Sequence, residues 1–129
     1  VYTVDEANAA LPNVRRLVER VVDVMPELPE MHETVRIKEL RFRRDGSGEK
    51  EQEELAQAVA ALRAAEMSIA TAIRDLEAMD VTLKDANTGL VDFPGERDGE
   101  IVELCWRLGE NEVANWHRLG EGYPGRKPL

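Results

Sequence analysis

A chain of 129 residues, 43% apolar and 33% charged, has room for one domain with a single core, and its net charge of −9 argues against a phosphate-binding surface. Its one basic cluster, Arg36-Lys38-Arg41-Arg43-Arg44, lies beside the acidic run Glu49-Glu51-Glu53-Glu54, so no nucleic-acid partner is expected, and no apolar run approaches the roughly 20 residues of a membrane span. A single cysteine permits no intrachain disulfide, and residues 1–6 show no basic segment leading into an apolar one, so a cytoplasmic location without a secretory signal is expected.

Thr3-Val4-Asp5-Glu6 has the capping-box spacing, which starts a helix near Val4. Pro12 lacks an N–H and disfavours helical geometry at Leu11, so it is expected to end a short first helix or to open a second. From Val14 a heptad-like stripe follows, through Leu17, Val21, Val24, Leu28, Met31, Val35 and Phe42. Pro26 and Pro29 fall within it and predict a kink or break over residues 25–29.

Asp45-Gly46-Ser47-Gly48 reads as a turn, with arginines before it and glutamates after it, as helix dipoles favour. Glu49 to Met79 contains no glycine or proline and reads as a long helix. Its Leu55/Leu62/Ile69/Leu76 and Ala58/Ala65/Ala72 columns suit an antiparallel partner, the preceding helix. Such a hairpin brings His32 near Glu66 in a flanking column, where both side chains are expected to reach water rather than form a buried pair.

Residues 81–84 then read as a short strand, and Asp98-Gly99 joins two longer strands, Leu90 to Pro94 and Glu100 to Leu108. A symmetric loop pairs Phe93 with Leu104, Val91 with Trp106 and Asp92 with Cys105. Val91, Phe93, Val102, Leu104 and Trp106 then face the helices, while Asp92, Cys105 and Arg107 turn the other way. Residues 113–119 fit helix or strand, with strand preferred, and the tail from Gly120, with three glycines and a proline, reads as irregular.

Tyr2-Thr3-Val4-Asp5-Glu6-Ala7-Asn8 with Leu11-Pro12, Lys84-Asp85, Gly89-Leu90-Val91-Asp92-Phe93-Pro94, Leu104-Cys105-Trp106-Arg107-Leu108-Gly109-Glu110, Trp116-His117 and Gly122-Tyr123-Pro124-Gly125-Arg126 resemble the domain of unknown function 2203 family of small prokaryotic proteins. The Pro26/Pro29 interruption is not part of that pattern. The resemblance implies no particular activity, but it locates the family signature in the hairpin and tail, where the chemically capable side chains also crowd.

Asp92, Cys105, Arg107, Glu110, His117 and Arg126 are the candidate ligand-binding residues on the face turned from the helices. Cys105 and His117, with eleven residues between them and no second cysteine or histidine nearby, match no closed zinc pattern, so no metal and no cofactor are expected. Cys105 as a nucleophile would need His117 as base, and Asp92 opposite it would disfavour the thiolate unless Arg107 intervened. Arg107 and Arg126, with the tryptophan N–H groups, suit an anionic small molecule or a protein carboxylate.

The sequence therefore predicts one α+β domain, residues 1–129, with a helical part (1–80) and a β-hairpin with C-terminal tail (81–129). A long antiparallel helical hairpin packs with an antiparallel sheet of three or four strands, and the helices are expected to form a homodimer. A non-enzymatic binding or protein-interaction module is the expected function. The alternative is a small-molecule or metal-dependent enzyme using Cys105, His117 and nearby carboxylates.

Overall fold

A computed structural model of the chain describes residues 1–45 and 48–129. Helix α1 (Val4–Val24) begins at the expected capping box: the Thr3 hydroxyl accepts from the Glu6 N–H at 3.1 Å, and Glu6 accepts from the Thr3 N–H at 2.9 Å. Contrary to the sequence expectation, Pro12 neither ends nor starts a helix; α1 runs through it. Pro12 sits on the exposed side, while Ala7, Leu11, Val14, Leu17, Val18 and Val21 bury the opposite side on both flanks. Burial at about 1.5–3 kcal/mol for each larger side chain outweighs an interior-proline penalty of about 3 kcal/mol.

The second proline pair does interrupt the helix. A 3₁₀ turn (Met25–Glu27) containing Pro26 separates α1 from α2 (Leu28–Asp45), whose second residue is Pro29. Helix α3 (Glu49–Ala78) returns antiparallel, with Lys38 Nζ 3.1 Å from Glu54 Oε2 across the seam. Gly46 and Ser47 of the expected turn lie outside the described residues.

His32 and Glu66 approach to 3.9 Å, but their side chains are 57% and 50% exposed, so water screens the pair. All buried residues of α3 lie from Leu62 onward, and α2 has none. The core is therefore α1, the second half of α3 and the inner face of the sheet. Helix α2 and the first half of α3 form an arm beyond it.

The sheet is an antiparallel meander of five strands in the order β1 (Thr82–Asp85), β2 (Leu90–Arg97), β3 (Glu100–Arg107), β4 (Asn115–Arg118), β5 (Lys127–Pro128). The hairpin register is as read from the sequence: Phe93 opposite Leu104, Val91 opposite Trp106, Asp92 opposite Cys105. Asp98 and Gly99 take φ of 53° and 82°, which gives the twist a two-residue hairpin needs. Residues 115–118 form a strand, and the tail, expected to be irregular throughout, adds the two-residue β5 to the sheet.

Packing then fixes the orientation of sheet and helices. Val91, Phe93, Val102, Leu104 and Trp106 join the core with α1 and α3. The N-terminus is tied in by the Tyr2 hydroxyl, which donates to the Met79 carbonyl at 2.5 Å, and by its ring edge against Phe93. Asn8 holds the segment before β4, accepting from the Val113 N–H at 2.7 Å and donating to its carbonyl. At the β1–β2 turn, Gly89 has φ of 74°, and a Cβ there would stand 2.7 Å from Leu108 Cβ. Only glycine fits that approach.

Candidate metal centre

Alternation along the strands puts Asp92, Glu103, Cys105 and His117 on the sheet face turned from the helices. Register places Asp92 opposite Cys105 and Glu103 opposite His117, so β3 lies between the acid and the histidine. The two side chains meet over it, with His117 Nε2 3.0 Å from Asp92 Oδ1 and 3.5 Å from Glu103 Oε2. Although this face is not the helical one, Asp92 is only 2% exposed, Cys105 0% and His117 1%. Ligand atoms of these three all lie within 4.8 Å of one another.

The protonation pattern follows from the partners. His117 Nδ1 faces the Arg118 carbonyl at 2.8 Å, which only accepts, so Nδ1 keeps a proton in either charge state, and Nε2 donates to Asp92 when the ring carries its second proton. Burial pulls the His117 pKa down, but the bonds to the Arg118 carbonyl and to Asp92, with the charges of Asp92 and Glu103, leave it raised. Burial and then the Asp92 carboxylate raise Glu103. Burial and the Asp92 charge push the Cys105 thiol up to about 12, against the opposing pull of Arg126. Among the described residues Asp92 Oδ2 has no hydrogen-bond partner, although it is buried.

Of the six residues singled out from sequence, the structure brings Asp92, Cys105 and His117 into one cluster and sets Arg126 beside it. Arg126 Nη1 reaches to 3.9 Å from Cys105 Sγ, and its other nitrogen pairs with Glu110. The cation beside the thiol is therefore Arg126 and not Arg107. Arg107 is exposed, with its guanidinium 5.6 Å from the Tyr123 ring.

Glu110 is spent on the tail, accepting from the Arg107 N–H at 2.7 Å as well as from Arg126. The tryptophans are not free to grip an anion: Trp106 is fully buried and donates to the Glu110 carbonyl at 3.0 Å. Trp116 is 8% exposed beneath Arg97, Arg118 and Lys127.

Glu103 is the residue the sequence reading left out. Its face was legible from the hairpin register, but its partner was not, because the pairing of β4 with β3 depends on a loop that carries no hairpin signal.

A thiol, an imidazole and two carboxylates make a borderline donor set suited to zinc or ferrous iron. Atoms bound to one zinc at about 2.0–2.3 Å stand about 3.3–3.7 Å apart, so the Asp92, Cys105 and His117 ligand atoms, all within 4.8 Å of one another, would draw together by up to about 1 Å around such an ion. As a nucleophile Cys105 is poorly placed, being protonated at neutral pH and shut from solvent. An open groove of 680 Å³ runs along α3, and none of these residues lines it.

The chain matches the sequence model of a family described as an uncharacterized conserved protein (DUF2203) over residues 1–129, and belongs to that family. No curated protein and no solved structure matches it. No helix is long and apolar enough to cross a membrane among the described residues.

Proposed function

We propose that this member of the DUF2203 family is a metal-binding module, in which Asp92, Cys105 and His117, joined by Glu103, hold one divalent transition-metal ion. The observation that carries the reading is that three ligand atoms of different chemistry lie within 4.8 Å of one another, in side chains no more than 2% exposed. Two details support it. The Arg118 carbonyl holds the Nδ1 proton of His117 and so leaves Nε2 for a metal, as carbonyls bonded to metal-ligating histidines do. Asp92 Oδ2, buried without a donor, has a use if a cation stands nearby.

Charge points the same way. Three anionic ligands around a dication leave one negative charge, and Arg126, held by Glu110, sets its guanidinium beside the sulfur. Enclosure favours a closed ion over an open catalytic one, because a substrate has no free coordination position to reach. The module is read as binding rather than catalytic on that ground. Self-association through the helices belongs to the same reading, with the exposed face of α3 as its surface.

Elemental analysis of the purified protein, followed by titration of the metal-free form with Co²⁺, tests the metal site. One ion per chain is expected, with a thiolate-to-cobalt charge-transfer band that Cys105→Ala abolishes. Absence of stoichiometric metal and of that band overturns the reading and leaves a buried Asp92–His117 ion pair of structural use only.

A further inference from the structure

We infer that the exposed face of α3 docks a second copy of this chain, antiparallel, about a two-fold axis near residues 61–62. At 100° per residue, Glu49, Glu53, Ala56, Ala60, Arg63, Ala64, Met67 and Arg74 project within about 60° of one direction. Every one of them is exposed, Met67 at 68%. Beside this stripe lies the 680 Å³ groove, whose apolar lining includes Phe42, Leu55, Val59 and Met67. It sits on the arm that the core leaves uncovered.

The charges say which occupant fits. The face is acidic at its N-terminal end (Glu49, Glu53), small and apolar but for Arg63 in the middle, and basic at Arg74 toward its C-terminal end. A parallel second copy would set like against like along the whole face, whereas an antiparallel one sets the charges at the two ends against opposite signs.

Centred near residues 61–62, that pairing puts Glu49 of each copy opposite Arg74 of the other and Lys50 near Asp75. Met67 then falls on the low surface at Ala56 and Ala60, where alanines let the helices approach closely. Each contact occurs twice, as an isologous interface requires. Among the described residues Glu49, Lys50, Arg63, Arg74 and Asp75 make no ion pair within the chain, so these charges are available. This deepens the self-association part of the proposed function and stands apart from the metal site, which lies on the sheet.

Sedimentation equilibrium on the full chain tests it. A dimer is expected at micromolar concentration, with Met67→Glu weakening it at least about tenfold, as loss of a central apolar contact does. Arg74→Glu should weaken it too, and Glu49→Arg combined with Arg74→Glu should restore it, since the swap rebuilds each pair with its signs exchanged. All of these positions are exposed, and circular dichroism with urea unfolding confirms that each variant keeps its fold. A monomeric wild type overturns the inference, as does a dimer indifferent to Met67→Glu or a double variant no stronger than Arg74→Glu alone. None of these outcomes bears on metal content, so the two readings fail separately.

Discussion

His117 Nε2 lies 3.0 Å from Asp92 Oδ1 across an intervening strand, in side chains that are 1% and 2% exposed. A contact of that kind is costly to half-remove, because the survivor keeps its desolvation penalty and loses its partner. In the metal-free protein His117→Ala is expected to cost about 3–5 kcal/mol, and Asp92→Ala a similar amount. The double variant should cost clearly less than the two added together, by 1 kcal/mol or more on the scale of about 0.5–3 kcal/mol seen for coupled neighbours. Urea unfolding in the presence of chelator checks this; strict additivity would mean that the two side chains do not depend on one another.

Glu103 separates a four-ligand site from a three-ligand one. Its Oε2 is 3.5 Å from His117 Nε2, and its side chain is 23% exposed, so substitution leaves no buried hole. Glu103→Ala should lower metal affinity by more than the about 10–100-fold that loss of a mere hydrogen-bonding partner of a ligand costs, while the stoichiometry stays at one ion per chain. Competition against a chromophoric chelator gives the number. Unchanged affinity would restrict the site to Asp92, Cys105 and His117.

How far these features were legible in the sequence depended on whether local chemistry or distant packing set them. The hairpin register came from Asp98-Gly99, because a two-residue loop leaves one way to pair its flanks, and that alone sets Asp92 opposite Cys105. Pro12 misled because a proline's local cost is written in the sequence, while the buried stripe that offsets it belongs to the tertiary fold. Burial of the outer sheet face, and Arg126 rather than Arg107 beside the thiol, depended on where the glycine-rich tail settles. No local pattern encodes that. The metal cluster needed β4 in register with β3, so the residue types were visible in the sequence but their convergence was not.

Gly89 tests the packing between sheet and helix. At φ of 74°, with Leu108 Cβ 2.7 Å and Val18 Cγ1 2.9 Å from where a Cβ would stand, the position offers no room. Gly89→Ala combines left-handed strain of about 1–2 kcal/mol with displacement of two apolar neighbours, so a loss of at least about 2 kcal/mol is expected. Among the described residues nothing lies within 4 Å of where a Cβ on Gly99 would stand, so Gly99→Ala should show the strain alone. Chemical denaturation of the pair separates crowding from backbone cost, and equal losses would deny the crowding.

The cap of α1 gives stability a pH dependence whose sign can be worked out. The Thr3 backbone N–H, and then the Thr3 hydroxyl, hold the Glu6 carboxyl below its ordinary 4.5. A depressed carboxyl contributes its full stabilisation above the unfolded value and loses it as pH falls through the folded value. Wild-type protein should therefore lose stability relative to Glu6→Gln as the pH drops below about 4.5. Thr3→Ala should cost about 1 kcal/mol at neutral pH through loss of the cap acceptor. Parallel urea midpoints for the two proteins at acid pH would remove Glu6 from the account.

Metal loading should release protons, and the number reports which groups ligate. With the Cys105 thiol pushed up to about 12 by burial and by Asp92, the metal-free protein holds that proton throughout the neutral range. Only a thiolate binds, so each ion must expel it, and wherever Nε2 of His117 is still protonated that proton leaves as well. Affinity for Zn²⁺ should therefore rise with pH by about tenfold per unit for each proton displaced. Calorimetric titration in buffers of different ionisation enthalpy reads the count directly, at one or more protons per ion. Cys105→Ala should lower that count by one while His117 still contributes. If the wild-type heat were the same in every buffer, no proton would be leaving, and Cys105 could not be a ligand.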